Sequence, residues 1–177
     1  MNKKKLMDFI STSVYFLVIM ILAFLIIKYV GQRTEVVGRS MEPTLENADN
    51  LIVDKISYRF KNPERYDIIV FPYRDSSGLY YIKRIIGLPN ERVYINERGD
   101  VFVNEVKLEE EYIKEKALNA GLAAVPIQLG EDEYFVLGDN RNNSTDSRSP
   151  EVGVVKKDEI IGRAVLRIWP LNKLEIY

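Results

Sequence analysis

The feature that most constrains this chain is a run of 19 residues without a charge, FISTSVYFLVIMILAFLII, lying between Asp8 and Lys28. From Val14 to Ile27 every residue is apolar or Tyr. As a helix rising about 1.5 Å per residue, the run would be about 28 Å long, close to the ~30 Å hydrocarbon thickness of a bilayer. A helix buried in a soluble core is the bland alternative, but a run this long without a polar face argues against it. A cleavable leader needs an apolar core of only ~7–15 residues ending at a small-x-small site. This run ends in Ile26-Ile27-Lys28-Tyr29-Val30. The chain is therefore expected to comprise a tail of residues 1–8, a single transmembrane helix over 9–29 and an outer domain over 30–177.

Sidedness follows from the flanking charges. Lys3, Lys4 and Lys5 crowd the short tail, whereas Lys28, Arg33 and Arg39 are spread out after the span with Glu35 among them. The denser cluster and the terminal amine favour a cytoplasmic N-terminus. The domain beyond would then be extracytoplasmic, with 21 basic and 25 acidic residues and a net charge of −4.

The residue inventory narrows the chemistry. There is no Cys and no His. That excludes Ser-His-Asp and Cys-His arrangements, a disulfide framework and the usual zinc ligand sets. No nucleotide, metal or redox signature appears, so neither a metal nor a cofactor is expected. An overall charge of −1 gives no support to nucleic-acid binding. Proton transfer falls to Lys, Asp, Glu or Tyr.

Beyond the span the pattern is that of strands. Residues 50–53, 66–71, 79–86, 92–96, 100–104, 134–137 and 161–169 are short runs rich in β-branched and aromatic side chains, bounded by Pro, Gly, Asn or Asp. Glu97-Arg98-Gly99 reads as a hairpin turn with Gly at a positive φ. The expected fold is mainly β: a compact antiparallel sandwich or partly open barrel carried on one membrane helix. Residues 109–124 fit a short helix and a surface loop equally well.

Three polar clusters stand out. In EVVGRSMEPTL, residues 35–45, Gly38 permits close backbone approach and Pro43 preorganises the chain after Ser40. A serine in such a setting is usually a turn or a cap. As a nucleophile it would need a base, and without His that base is a lysine amine able to shed its proton. In YYIKRII, residues 80–86, strand alternation puts Lys83 between Tyr81 and Ile85 on one face, an apolar setting that also suits an edge-strand gatekeeper. VLGDNRNNSTDSRSP, residues 136–150, is a dense polar loop after an apolar strand. It fails as a calcium loop because Arg141 and Ser144 occupy positions that need a ligand and a glycine. Asp139, Asp146, Arg141 and Arg148 are expected to satisfy one another within the loop.

In this order, behind an apolar anchor, GRSMEPTL, YDIIVF, YIKRIIGLPNERV and VLGDNRNNSTDSR, followed by IIGRAVLRIWP, resemble the type I signal peptidases of bacteria. The resemblance covers most of residues 36–170. It implies a membrane-bound serine endopeptidase of the cytoplasmic membrane that removes signal peptides from secretory preproteins. By resemblance, Ser40 matches the nucleophile and Lys83 the general base. Ser144 matches a serine that orients the lysine, and Asp146 and Arg148 a supporting ion pair. The eukaryotic endoplasmic-reticulum branch has His in place of the lysine. Shallow pockets for small side chains at the first and third positions before the cut would be lined by Val36, Met41, Leu45, Tyr81 and Ile82. Some relatives place a hydroxyl two residues before the nucleophile as an oxyanion donor, and Gly38 stands there in this chain. The short Ser40-to-Lys83 interval and the single anchor mark a compact member.

Overall fold

The uncharged run and its flanks form one α-helix, α1 (Lys3–Tyr29), in a computed structural model that describes residues 3–29, 31–73 and 78–177. Met1 and Asn2 of the expected tail, and Val30 at the head of the expected outer domain, lie outside the described residues. The segment Met7–Phe24 is long and apolar enough to cross a membrane, and none of it is buried against the rest of the chain. Its apolar side chains point outward all round, an arrangement suited to lipid, where a helix satisfies every backbone group internally.

After the helix, the described strands pair antiparallel. The larger sheet has eight, ordered β1 (Gly31–Glu35), β2 (Asn50–Asp54), β11 (Gly162–Trp169), β3 (Ile68–Pro72), β4 (Tyr80–Gly87), β9 (Glu133–Leu137) and β10 (Val155–Lys156), with β12 (Glu175–Ile176) also on β11. The smaller sheet runs β7 (Val106–Lys107), β6 (Val101–Val103), β5 (Arg92–Ile95) and β8 (Ile127–Gln128). The larger sheet is not closed into a barrel: β1 and β10 remain its outer strands. This is the expected mainly β, partly open architecture. Register shifts within β11, between Ala164 and Leu166 and again between Arg167 and Trp169, bend the strand that feeds both halves of the sheet.

The expected runs become strands where they bury side chains on both faces. Ile69, Phe71, Ile85 and Val136 pack on one side of the sheet with Tyr134, Val152 and Val155. On the other, Ile68, Val70, Ile82, Leu51, Val53 and Ala164 meet Val36, Met41 and Leu45 of the serine segment. The smaller sheet contributes Val93, Ile95, Val101 and Val103 to a third cluster with Ile86, Phe135 and Leu137. Gly87 permits that contact, since a Cβ there would fall 2.5 Å from Val93 and 2.7 Å from Leu129. The hairpin expected at 97–99 is present: Gly99 has φ 74°, and a Cβ on it would also strike the carbonyl of Ala117 at 2.3 Å. Residues 109–124 are neither a regular helix nor a free loop. They run irregularly to a single 3-10 turn at Gly121–Ala124, with Ala117 and Ala123 buried.

Candidate active site

Ser40 lies in the connection between β1 and β2, whose ends are closed by Val36 N–H to the Asp49 carbonyl and Ala48 N–H to the Val36 carbonyl, both 2.8 Å. Met41 and Leu45 are fully buried and turn the segment's apolar side into the core. Its far end is clamped by Arg167 of β11, which donates to the Thr44 carbonyl at 3.0 Å and to Asp49 at 2.9 Å. Anchored at both ends, the segment presents Ser40 as a half-buried hydroxyl rather than a mobile one.

Lys83 comes from the middle of β4, paired across the sheet with Ile69 of β3. Tyr81 pairs with Phe71 and Ile85 with Val136, so the lysine stem sits in the apolar row that strand alternation predicts. Only 2% of Lys83 is exposed. Its Nζ lies 2.8 Å from Ser40 Oγ and donates to its neighbour's carbonyl, that of Ile82, at 3.0 Å. Burial, which penalises the ammonium, lowers its pKa from the ordinary 10.5 to about 8, against the opposing pull of the Asp146 and Asp139 carboxylates. The Tyr81 ring, 4.9 Å from Nζ, also favours the charged form.

The polar loop after β9 closes the other side. Asp146 and Arg148 form the expected ion pair at 2.8 Å, and Asp146 also accepts from Gly138 N–H at 3.0 Å. The loop does not satisfy itself throughout. Asp139 takes its partners from elsewhere, accepting from Arg84 of β4 at 2.6 Å and from Thr44 Oγ1 at 2.5 Å. Arg141 donates out of the loop to Glu110. Asn140 reaches back to the serine segment, its Nδ2 donating to the Arg39 carbonyl and its N–H to the Ser40 carbonyl, each at 3.0 Å. Arg84, Thr44, Asn140 and Glu110 were absent from the sequence-based site. Arg84, Thr44 and Asn140 lie inside the motifs that carry the resemblance, whereas no sequence signal marked Glu110.

Ser144 lies in the same loop. It packs against Gly138, where a Cβ would fall 2.2 Å from its Oγ, yet its buried hydroxyl has no hydrogen-bond partner among the described residues. Lys83 is held by Ser40 and the Ile82 carbonyl instead. Gly38 has φ 98°, with open space where a Cβ would project, and its N–H is taken by Asn47 Oδ1 at 2.8 Å. A serine there would sit in a strained backbone, which accounts for the glycine.

Ser40 and Lys83 lie in a groove of about 470 Å³ that runs between residues 34–41 on one bank and 78–83 on the other, with Asn143 and Thr145 beside it. Of the expected pocket residues, Val36, Met41, Tyr81 and Ile82 line it. Leu45 does not: it lies beneath, fully buried, as a core residue. Leu79 and Tyr80, exposed on the bank, line it without having been foreseen.

A serine hydroxyl against a desolvated lysine amine, in an open groove of an antiparallel β domain, defines a serine hydrolase with an amine in the place of imidazole. Residues 9–169 match the family described as signal peptidase, peptidase S26. The chain is 42% identical over 159 residues to a probable signal peptidase I-2 of Synechocystis sp., covering 87% of this chain and 70% of that one. It is 34% identical over 180 residues to signal peptidase I P of Bacillus subtilis subsp. natto, covering 98% and 96%. A crystal structure of a signal peptidase I from Enterococcus faecalis V583 aligns with 59% of this chain and 98% of its own, at 34% identity and a TM-score of 0.49. The chain belongs to the signal peptidase family, peptidase S26.

Proposed function

We propose that this chain cleaves N-terminal signal peptides from secretory preproteins, with Ser40 as nucleophile and Lys83 as general base. The observation that carries the assignment is the 2.8 Å approach of a buried lysine amine to a serine hydroxyl in a chain without histidine. In its neutral form Lys83 takes the hydroxyl proton as Oγ bonds to the scissile carbonyl carbon. The tetrahedral oxyanion then collapses, the C–N bond breaks, and the new ammonium gives its proton to the departing amine. The signal peptide is left as an ester on Ser40. A water deprotonated by the same amine adds to the ester, releasing the peptide's carboxylate and restoring the hydroxyl.

Ser40 N–H is one donor for the oxyanion. Gly38 offers no side chain, and its own N–H is committed to Asn47. Ser144 is assigned to steady the lysine once substrate arrives, since catalytic hydrogen bonds often tighten only in the bound complex. Asp146 and Arg148 hold the loop that carries it. Substrate side chains before the cut would rest on Val36, Met41, Tyr81 and Ile82.

Topology belongs to the same proposal. Helix α1 would lie in the cytoplasmic membrane with the lysine-rich tail inside and the β domain outside, where exported preproteins emerge. The test is incubation of the purified chain in detergent with a preprotein, with and without Ser40→Ala. Loss of processing in a folded variant is expected, and processing near the unmodified rate would refute the nucleophile.

A further inference from the structure

The irregular segment 109–124 carries none of the motifs that mark the site, yet it is sewn along the catalytic loop. Lys114 N–H donates to the Asp139 carbonyl at 3.3 Å, Asn142 exchanges bonds with Lys116 and Leu118, and Leu122 N–H donates to the Arg148 carbonyl at 2.9 Å. At its head stands Glu110, whose carboxylate accepts both terminal nitrogens of Arg141, at 3.0 and 2.5 Å. The Arg141 side chain is fully buried and that of Glu110 nearly so. Arg141 spends its remaining Nε–H on the Gly138 carbonyl at 3.1 Å.

We infer that Glu110 is a positioning residue for the serine–lysine pair, acting through Arg141. The path is continuous: Glu110 orients Arg141, Arg141 holds the Gly138 carbonyl, and two residues on Asn140 grips the carbonyls of Arg39 and Ser40. A second path runs through Tyr112, whose hydroxyl donates to Glu110 at 2.8 Å and whose ring lies 4.2 Å from the Arg84 guanidinium. Arg84 in turn holds Asp139, which accepts from Thr44 in the nucleophile segment. Burial, reinforced by the Glu110 carboxylate, raises the Tyr112 phenol well above its ordinary pKa, so it remains a donor. Both paths join the nucleophile's backbone to one buried carboxylate. Without it Arg141 is a buried cation with no counter-ion, and it would turn away from Gly138 toward water or another acceptor.

The inference rests on the Ser40–Lys83 assignment, and the experiment separates the two. Processing kinetics and thermal melts are measured on the full chain in detergent for Glu110→Gln, Glu110→Asp, and Glu110→Gln with Arg141→Gln. Glu110→Gln should lower kcat by about 10- to 100-fold, the scale of a ~1 Å misplacement, with KM changed by less than about twofold. It should also move the acid limb of the pH profile to lower pH, because the unpaired guanidinium, within electrostatic reach of Asp139, offsets the carboxylate that holds the Lys83 pKa up. Glu110→Asp, which keeps the charge, should recover part of the kcat and keep the limb in place. Adding Arg141→Gln should remove the limb shift. A folded Glu110→Gln with unaltered kcat and pH limb overturns the inference. If that variant does not fold, Glu110→Asp decides: shortened by one methylene, it should lose kcat measurably, and full activity overturns the inference. Ser40→Ala and Lys83→Met run alongside, and cleavage surviving in either would refute the underlying assignment instead.

Discussion

Lys83 has a pKa of about 8, so at pH 7 only about one molecule in ten carries the neutral amine that the proposed general-base role requires. Single-turnover processing should therefore rise about tenfold per pH unit below 8 and level off above it. A profile flat from about pH 6 to 9 would remove Lys83 as the base. The same burial has a stability cost of opposite use to catalysis. The folded pKa is depressed below the unfolded 10.5, so the cost, roughly 3 kcal/mol, is fully present below pH 8 and fades between pH 8 and 10.5. Lys83→Met should abolish cleavage yet melt higher than the unmodified chain at pH 7, with the gap closing near pH 10.5. Asp146→Asn should do two separable things. It strands Arg148, costing about 3–5 kcal/mol by chemical denaturation, and it removes a carboxylate that holds the Lys83 pKa up, so the acid limb shifts to lower pH.

Among the elements, β4 bears the most. It supplies Lys83, Arg84 and the apolar rows of both sheet faces, and it ends at Gly87, where the smaller sheet closes on the larger. Gly87→Ala would put a methyl 2.5 Å from Val93, 2.7 Å from Leu129 and 3.0 Å from Phe135. Overpacking of this kind costs about 1–3 kcal/mol, and it should lower the denaturation midpoint while leaving kcat of the folded enzyme within about twofold, because the strain falls beyond the register shift between Ile85 and Gly87. Several elements could not be foreseen. GQRTE has no apolar alternation, yet it forms β1 because β2 offers a backbone ladder from Asp54 to Asn50. The run at 66–71 begins its strand only at Ile68, since Tyr66 has φ 75° and Asp67 turns its carboxylate to Tyr58 and Glu64 N–H.

At the scale of the whole molecule, the segment Met7–Phe24 of α1 stands apart from the β domain. No side chain of Met7–Phe24 is buried against the sheets, so residues 31–177 alone should unfold within about 2–4 °C of the full chain, the shift that ~1 kcal/mol produces in a protein of this size. A larger loss would mean that the helix supports the domain. The orientation proposed from the lysine-rich tail predicts that protease added outside intact spheroplasts digests the domain, and full protection would reverse it.

What the amino-acid order determined by itself was whatever depends on near neighbours. Helix α1 follows from an unbroken apolar run, the hairpin from Gly99, and the apolar row around Lys83 from strand alternation. Ser40, Lys83, Asp146 and Arg148 were singled out through the resemblance of four motifs in order, and the fold brings Ser40 to Lys83 and Asp146 to Arg148. The tertiary structure alone decided the contacts between distant segments. It paired Asp139 with Arg84 and Arg141 with Glu110, although a loop rich in both signs looked self-sufficient. It sent Leu45 into the core and left the Ser144 hydroxyl without a hydrogen-bond partner among the described residues. The physical reason is that side-chain pairing is a competition settled by distance in the folded state. Sequence spacing bounds that distance only along one strand or turn, whereas Lys83 meets Ser40 only because two segments 43 residues apart pack on one sheet.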